Sequence, residues 1–330
     1  MKKNVETKTL TVLQTWPEAF AGQLRASGKS ESTIKSYMAD LRAFTLFFAE
    51  VNDVLPRDGL PRDGEFEPGL LTSWDIREYR KHLVEGHAAA ATINRRLASL
   101  RAFGAWAAAS GLLAADPSGE VSGVGKQKLA PRWLGKGDFG KLMRQAERNL
   151  NGARSEAGRR QALRDRAILA LMAYGGLRVS EVCGLRMGDV ELSERRGVVK
   201  VMGKGMKERT VPLASEARKA LVEYLPSTAS SSSLRSAQNA KNDQDASIWS
   251  GKQGEGLTSR SVERMISELG RQAGVEATPH RLRHTAAKRM INGGVDVTVV
   301  AGILGHERIE TTRRYTLPSL EDMAEAVERI

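Results

Sequence analysis

The stretch TPHRLRHTAAKRMINGG (278–294) places His280, Arg281, Arg283 and His284 within five positions of a 330-residue chain that has five histidines in all. Two chemistries compete for it. His280 and His284 stand at i and i+4, a spacing at which two imidazoles on one helix share a metal ion, but Arg281 stands where a catalytic glutamate would be needed and Arg283 would repel a cation. An anion suits the residues better. Thr278 reads as an N-cap and Pro279 as the first helical residue, so the helix dipole and its free N–H groups face whatever lies beside His280. At i and i+3, His280 and Arg283 share a face and reach one phosphate, by a single hydrogen bond and a bidentate fork respectively. His284, one turn deeper, reads as a structural histidine bonded to backbone.

Other phosphate chemistry is excluded by detail. Gly135, Gly140 and Lys141 match a nucleotide-binding loop until Leu142, which stands where the Mg²⁺-binding Ser or Thr belongs, and Gly197, Gly203 and Lys204 have one intervening residue too many. Cys183 is the single cysteine, which rules out intrachain disulfides and cysteine-based metal clusters. The net charge of +12 favours a polyanionic partner. Residues 1–115 hold 15 basic and 13 acidic residues, so +10 of that charge lies beyond them. No apolar run reaches the roughly 18 residues of a membrane span, and the opening MKKNVETKTL lacks a signal-peptide core. The expected location is the cytoplasm, with the nucleoid, and no membrane.

These residues need a scaffold, and periodicity predicts one that is mainly α. Trp16, Phe20 and Leu24, then Ile34, Leu41, Phe44 and Phe48, follow helical spacing, and helices are predicted again from Ser73 and over 91–109. Residues 51–70, with three prolines and three glycines, read as a loop. The predicted organisation is a helical domain over 1–112, an interdomain linker over 113–133, and a second domain over 134–330. In the second, helices flank one β signal, GVVKVMGKGMKERTVPL (197–213), in which Val199, Val201, Val211 and Leu213 alternate about a Gly- and Lys-rich turn. Residues 226–247, rich in Ser, Asn and Asp, read as a flexible insertion. At the end Ser319 caps a helix with Leu320, Met323, Val327 and Ile330 on one stripe.

Taken together and in order, GGLRVSEVCGL (175–185), GKGMKERTVPL (203–213), PHRLRHTAA (279–287) and GILGHERIETTRRY (302–315) resemble the tyrosine recombinases, the phage integrase and Xer family. The resemblance implies a helical core-binding (SAM-like) N-terminal domain and a mixed α/β catalytic domain with a small β-sheet. Position by position, it makes Tyr315 the nucleophile, sets Arg178 and Arg283 on the scissile phosphate with His280 and His306 bonded to it, and makes Lys204 the general acid. Glu181 then orients Arg178, His284 supports the site, and Lys207 and Arg209 of the hairpin with Arg95, Arg96 and Arg101 are candidate DNA contacts. Two guanidiniums stabilise a pentacoordinate phosphorus without metal, and a phosphotyrosine keeps the ester's energy, so neither a metal nor another cofactor is expected.

The resemblance further implies double-stranded DNA sites as partners, a homotetramer that exchanges strands through a Holliday junction, and docking of helix 319–330 on a neighbouring protomer. Roles in phages, plasmids, transposons or other mobile elements stay open. So do two other readings of the same residues: a type IB topoisomerase or hairpin resolvase relative, and a non-catalytic DNA-binding regulator.

Overall fold

The computed structural model describes residues 16–51, 66–125, 133–193, 195–203, 208–228, 244–249 and 256–318, together with 323, 327 and 328. The chain divides into two compact units between Leu129 and Ala130. In the first, α1 (Trp16–Ala26), α2 (Glu31–Val51), α3 (Ser73–Glu85) and α4 (Ala90–Ala109) bury the faces that their spacing predicts. Rings fill the centre: Phe103 meets Trp16 at 5.0 Å and Phe20 at 5.5 Å, both edge to face. Thr72 and Asp75 start α3 as a capping box, each satisfying a backbone N–H that the first turn leaves free.

The linker expected from residue 113 begins later. Leu113 and Val121 are buried in the N-terminal core, and Asp116 folds so closely over α4 that a Cβ on Gly104 would stand 2.3 Å from its carboxylate. The Gly- and Ser-rich composition suggested a tether, but Leu112, Leu113 and Val121 carry enough apolar surface to bring 112–121 back onto the helices.

The second unit is built on α6. Its helices are α5 (Lys136–Asn151), α6 (Glu156–Gly175), α7 (Val179–Cys183), α8 (Ser215–Thr228), α9 (Ser259–Ala273), α10 (Pro279–Asn292), α11 (Val297–Leu304) and α12 (Glu310–Arg313). From Ala167 to Ala173 every residue of α6 is buried, which requires neighbours on all sides, and α5, α8 and α10 supply them. The predicted hairpin forms β2 (Gly197–Met202) and β3 (Glu208–Pro212), antiparallel with Val199 opposite Val211. A short strand, β1 (Val190–Leu192), adds to its other edge. Three residues are too few for alternation to announce it.

The insertion expected over 226–247 is narrower among the described residues. Helix α8 runs on to Thr228, and Ser247 bridges Arg186 while the Ala246 carbonyl accepts from the Met187 N–H at 2.9 Å. The anchor lies just beyond: Trp249 stacks on Tyr224 at 5.4 Å and donates from its indole N–H to the Val182 carbonyl at 2.5 Å. No helix among the described residues is long and apolar enough to cross a membrane.

Gly176 ends α6 in the left-handed region, φ +64°, and a Cβ there would stand 2.6 Å from Leu304 Cδ2. Gly176→Ala therefore combines backbone strain with a clash and should lower the unfolding free energy by about 1–3 kcal/mol, measured by urea titration.

Candidate active site

The reversal at Gly176 sends the chain through Leu177 to Arg178, which is the N-cap residue of α7. Three residues on, Glu181 turns back toward it. Glu181 Oε2 accepts the Arg178 backbone N–H at 2.8 Å and Oε1 accepts Nη1 at 2.7 Å, while Arg178 Nη2 donates to the Gly305 carbonyl at 3.0 Å. Sequence reasoning expected Glu181 to orient Arg178, and the two side chains are in contact.

Arg209 differs from its expected role as a DNA contact. Its guanidinium points inward, giving Nη1 and Nη2 to Glu181 at 2.8 and 2.9 Å and Nε to the Ile303 carbonyl at 2.9 Å. These bonds take three of its five N–H donors and turn the fork toward Glu181. Gly305 makes room for it: at φ +63°, a Cβ there would lie 2.8 Å from Arg209 Nη1. Burial would push the Glu181 carboxyl up, but the hydrogen bonds from Arg209 and Arg178 outweigh it and hold it below the ordinary carboxylate range.

Helix α10 starts as predicted, with Thr278 accepting from the Arg281 N–H at 3.2 Å and Pro279 in the first turn. Arg281 turns away to Glu276, at 2.9 Å. Arg283 is buried and donates Nη1 to the Gly176 carbonyl at 2.6 Å and Nη2 to the Leu304 carbonyl at 2.5 Å, which joins the ends of α6 and α11. Burial, and then the nearby Arg178, bring its guanidinium down to about 10, still protonated at neutral pH.

Arg178, His280, Arg283, His306 and Arg314 line one open cleft of 730 Å³, with Thr278 and Pro279 at the helix N-terminus. The resemblance had brought the first four to one phosphate, and the fold brings them to one wall. Burial lowers the His280 and His306 imidazoles, with Arg314 and Arg283 pressing on the first and Arg283 and Arg178 on the second, so that His306 falls to about 4. Both are neutral at neutral pH and donate or accept as single-proton rings. His306 Nδ1 is fixed by the Thr312 hydroxyl at 2.7 Å.

Tyr315 is fully buried and does not line the cleft. Its hydroxyl is bonded to His284 Nδ1 and to Arg314 Nη2, the latter at 3.1 Å. This corrects the reading of His284 as bonded to backbone: an imidazole one turn below His280 reaches a phenol 31 positions downstream, in the turn after α12, a partner that local spacing does not reveal. The packing of the His280 ring on His284 at 4.0 Å completes a chain of side chains from cleft to phenol. Arg314 was not among the expected site residues, although its adjacency to Tyr315 was visible in the sequence.

The remaining expected residues are less concentrated. Arg95 pairs with the buried Asp40, Arg96 donates to the Tyr79 hydroxyl at 3.0 Å, and Arg101 donates to the Val121 carbonyl at 2.6 Å. Arg95 and Arg101 remain exposed. Lys204 and Lys207 lie outside the described residues, between Gly203 and Glu208, and so does most of helix 319–330.

Two measurements follow from these bonds. Glu181→Gln removes the charge that two guanidiniums share and should cost about 2–3 kcal/mol in urea unfolding, below the full loss for a buried pair because Arg178 is partly solvated. His284 is held near 3, by burial and then by His280, so the unfolded chain takes up its proton first. Stability from this group is complete above about pH 6.5 and is lost as pH falls toward 3. Unfolding titrations at pH 7.5 and 5 should show a smaller acid loss in His284→Asn than in the unsubstituted chain.

Known proteins resemble the chain in sequence and in fold. Residues 138–321 match the Phage integrase family, and residues 16–109 match the phage integrase N-terminal SAM-like domain. The tyrosine recombinase XerC of Mycobacterium sp. (strain KMS) is 33% identical over 293 residues, covering 88% of this chain and 89% of that protein. XerC of Corynebacterium efficiens is 30% identical over 300 residues, covering 91% and 85%. In fold, the chain is similar to XerH site-specific recombinase bound to palindromic difH substrate, with a TM-score of 0.65 at 18% identity over 93% of this chain and 83% of that one. It is likewise similar to a lambda integrase (75-356) dimer bound to a COC' core site, with a TM-score of 0.62 at 19% identity over 91% and 94%. With both of its units matched and a relative at this identity aligned almost end to end, the chain belongs to the phage integrase family and is a tyrosine-type site-specific recombinase.

Proposed function

We propose that Tyr315 cuts DNA by attacking a scissile phosphate held in the cleft, forming a 3′-phosphotyrosine, and that the free 5′ hydroxyl of another strand then displaces it. The observation that carries this reading is the convergence of Arg178, Arg283, His280 and His306 on one wall beside the N-terminus of α10. Negative charge grows on the phosphoryl oxygens as the fifth bond forms, and donors already fixed by Glu181, Gly176 and Leu304 meet it without reorganisation. Arg178 and Arg283 serve as the clamp, while His280 and His306 donate single hydrogen bonds. The leaving 5′ oxygen needs a proton, and Lys204 is assigned to supply it. Because the phosphotyrosine retains the ester's energy, rejoining needs no nucleotide hydrolysis.

The same reading covers the rest of the chain. DNA is the polyanion that the charge predicts, with Arg95, Arg101 and Lys207 on its phosphates and Arg96 beside them. Four copies exchange strands pairwise through a Holliday junction, and the terminal segment docks on the next copy. Exposure of Met323 and Val327 in the single chain supports that docking, since an apolar stripe calls for a partner.

The test is covalent trapping. Denaturant quenching on genomic DNA of cells that carry the gene, followed by sequencing of the attached strands, identifies the site; a duplex nicked beside that phosphate then traps the adduct. The adduct should form in EDTA at the full rate and be lost in Tyr315→Phe. An adduct that persists in Tyr315→Phe sinks the assignment. Recombination between two sites on one plasmid, as against relaxation alone, separates strand exchange from topoisomerase action.

A further inference from the structure

Among the described residues, Arg314 is the one guanidinium that both lines the cleft and donates to the phenol. It lines the cavity with Arg178, Arg283, His280 and His306, and its Nη2 donates to Tyr315 Oη at 3.1 Å with Cζ 5.1 Å from the ring centre. Its buried Nε has no hydrogen-bond partner. We infer that Arg314 is a further catalytic residue, one that holds the charge developing on Tyr315 Oη during attack and then shares the phosphate with the clamp. The inference rests on Tyr315 being the nucleophile.

Donor and acceptor roles decide how the phenol is held. A guanidinium only donates, so Oη receives from Arg314 and its own proton points to the other contact, His284 Nδ1. His284 is therefore the tautomer protonated at Nε2. When Oη bonds to phosphorus its proton passes to His284 Nδ1, the 5′ oxygen leaves with a proton from the general acid, and Arg314 neither gains nor loses one.

The surrounding groups do not duplicate this contact. From α10, His284 accepts at Oη, His280 packs on His284, Arg283 spends two donors on backbone carbonyls, and Lys288 reaches the carbonyl of Tyr315 and not its hydroxyl. From α11, Val300 and Leu304 present only apolar surface, and His306 beyond them is fixed on Thr312. Burial and the cations around it keep His284 at about 3 in the free chain, which makes it a poor proton acceptor until a phosphate enters and offsets their charge. Attack is thereby tied to an occupied cleft.

The experiment is single-turnover cleavage of the nicked duplex by Arg314→Gln, with Arg314→Lys as the variant that keeps a cation should the first fail to fold. At neutral pH the Gln variant should cleave about 100-fold more slowly, the usual cost of one donor at a developing oxyanion. Its rate should climb toward the unsubstituted value as pH rises, and its DNA affinity should change only a few-fold. Replacing Tyr315 with 3-fluorotyrosine, a more acidic phenol, should recover at least about tenfold of the loss in Arg314→Gln and little in the unsubstituted protein. A sulfur in place of the bridging 5′ oxygen, which leaves without a proton, should not rescue it.

Cleavage by Arg314→Gln within threefold of the unsubstituted rate overturns the inference and leaves Tyr315 as the nucleophile. So does a defect that is the same at every pH, unmoved by fluorotyrosine, or abolished by the bridging sulfur. If Arg314→Lys alone folds, a loss in that variant that is the same at every pH and unmoved by fluorotyrosine has the same force. Absence of any adduct in the unsubstituted protein overturns the function and this inference together.

Discussion

A single buried carboxylate holds the site in register. Glu181 accepts four hydrogen bonds, two from Arg178 and two from Arg209, and is almost wholly removed from water. A carboxylate in that position is costly alone and stable only when its lone pairs are met by charged donors. The consequence is geometric. Arg178 at the start of α7, Arg209 on β3 and the carbonyls of Ile303 in α11 and Gly305 just after it are locked to one another. Strand, helix and loop come from distant parts of the chain, yet none shifts without disturbing the others.

What this lock positions is an unbalanced charge. Around the cleft stand Arg178, Arg283 and Arg314, with three lowered histidines, and Glu181 answers only two guanidiniums. Arg283 and the imidazoles are lowered first by burial and then by the cations held close around them. Such a cluster weakens the free fold and favours whatever phosphate enters, which is the trade of stability for function expected at preorganised sites.

Much of this was legible in residue order. Helical spacing predicted the N-terminal core almost residue by residue, and the alternation about 203–207 predicted the hairpin, because both signals are local. Arg209 was legible too, had the alternation been followed one step further: it stands two residues before Val211 and opposite Val201, both core-facing, so its side chain had to point inward. An inward arginine demands a buried acid, and Glu181 was available. Long-range pairings were not legible. The bond from His284 to Tyr315, the return of 112–121 onto α4 and the anchoring of Trp249 under α7 depend on which surfaces meet after folding. Composition also misled where a few apolar residues outweighed many small ones.

The placement of Tyr315 links these points. Its hydroxyl is held by His284 and Arg314, its carbonyl by Lys288, and its ring by Ala287, Val300 and Leu304, so the phenol sits in the core and not at the cleft wall. Reaching a phosphate means leaving apolar surface and exchanging hydrogen bonds, a cost of a few kcal/mol that a substrate must supply through differential interaction. The short helix before it, α12, has four residues and one buried side chain, so little buried surface holds it to the fold. Arg314 lies at its end and also on the cleft. On the proposed function, a phosphate that draws Arg314 outward draws on the same contact that keeps Tyr315 in place, so binding and exposure of the phenol share one hydrogen bond.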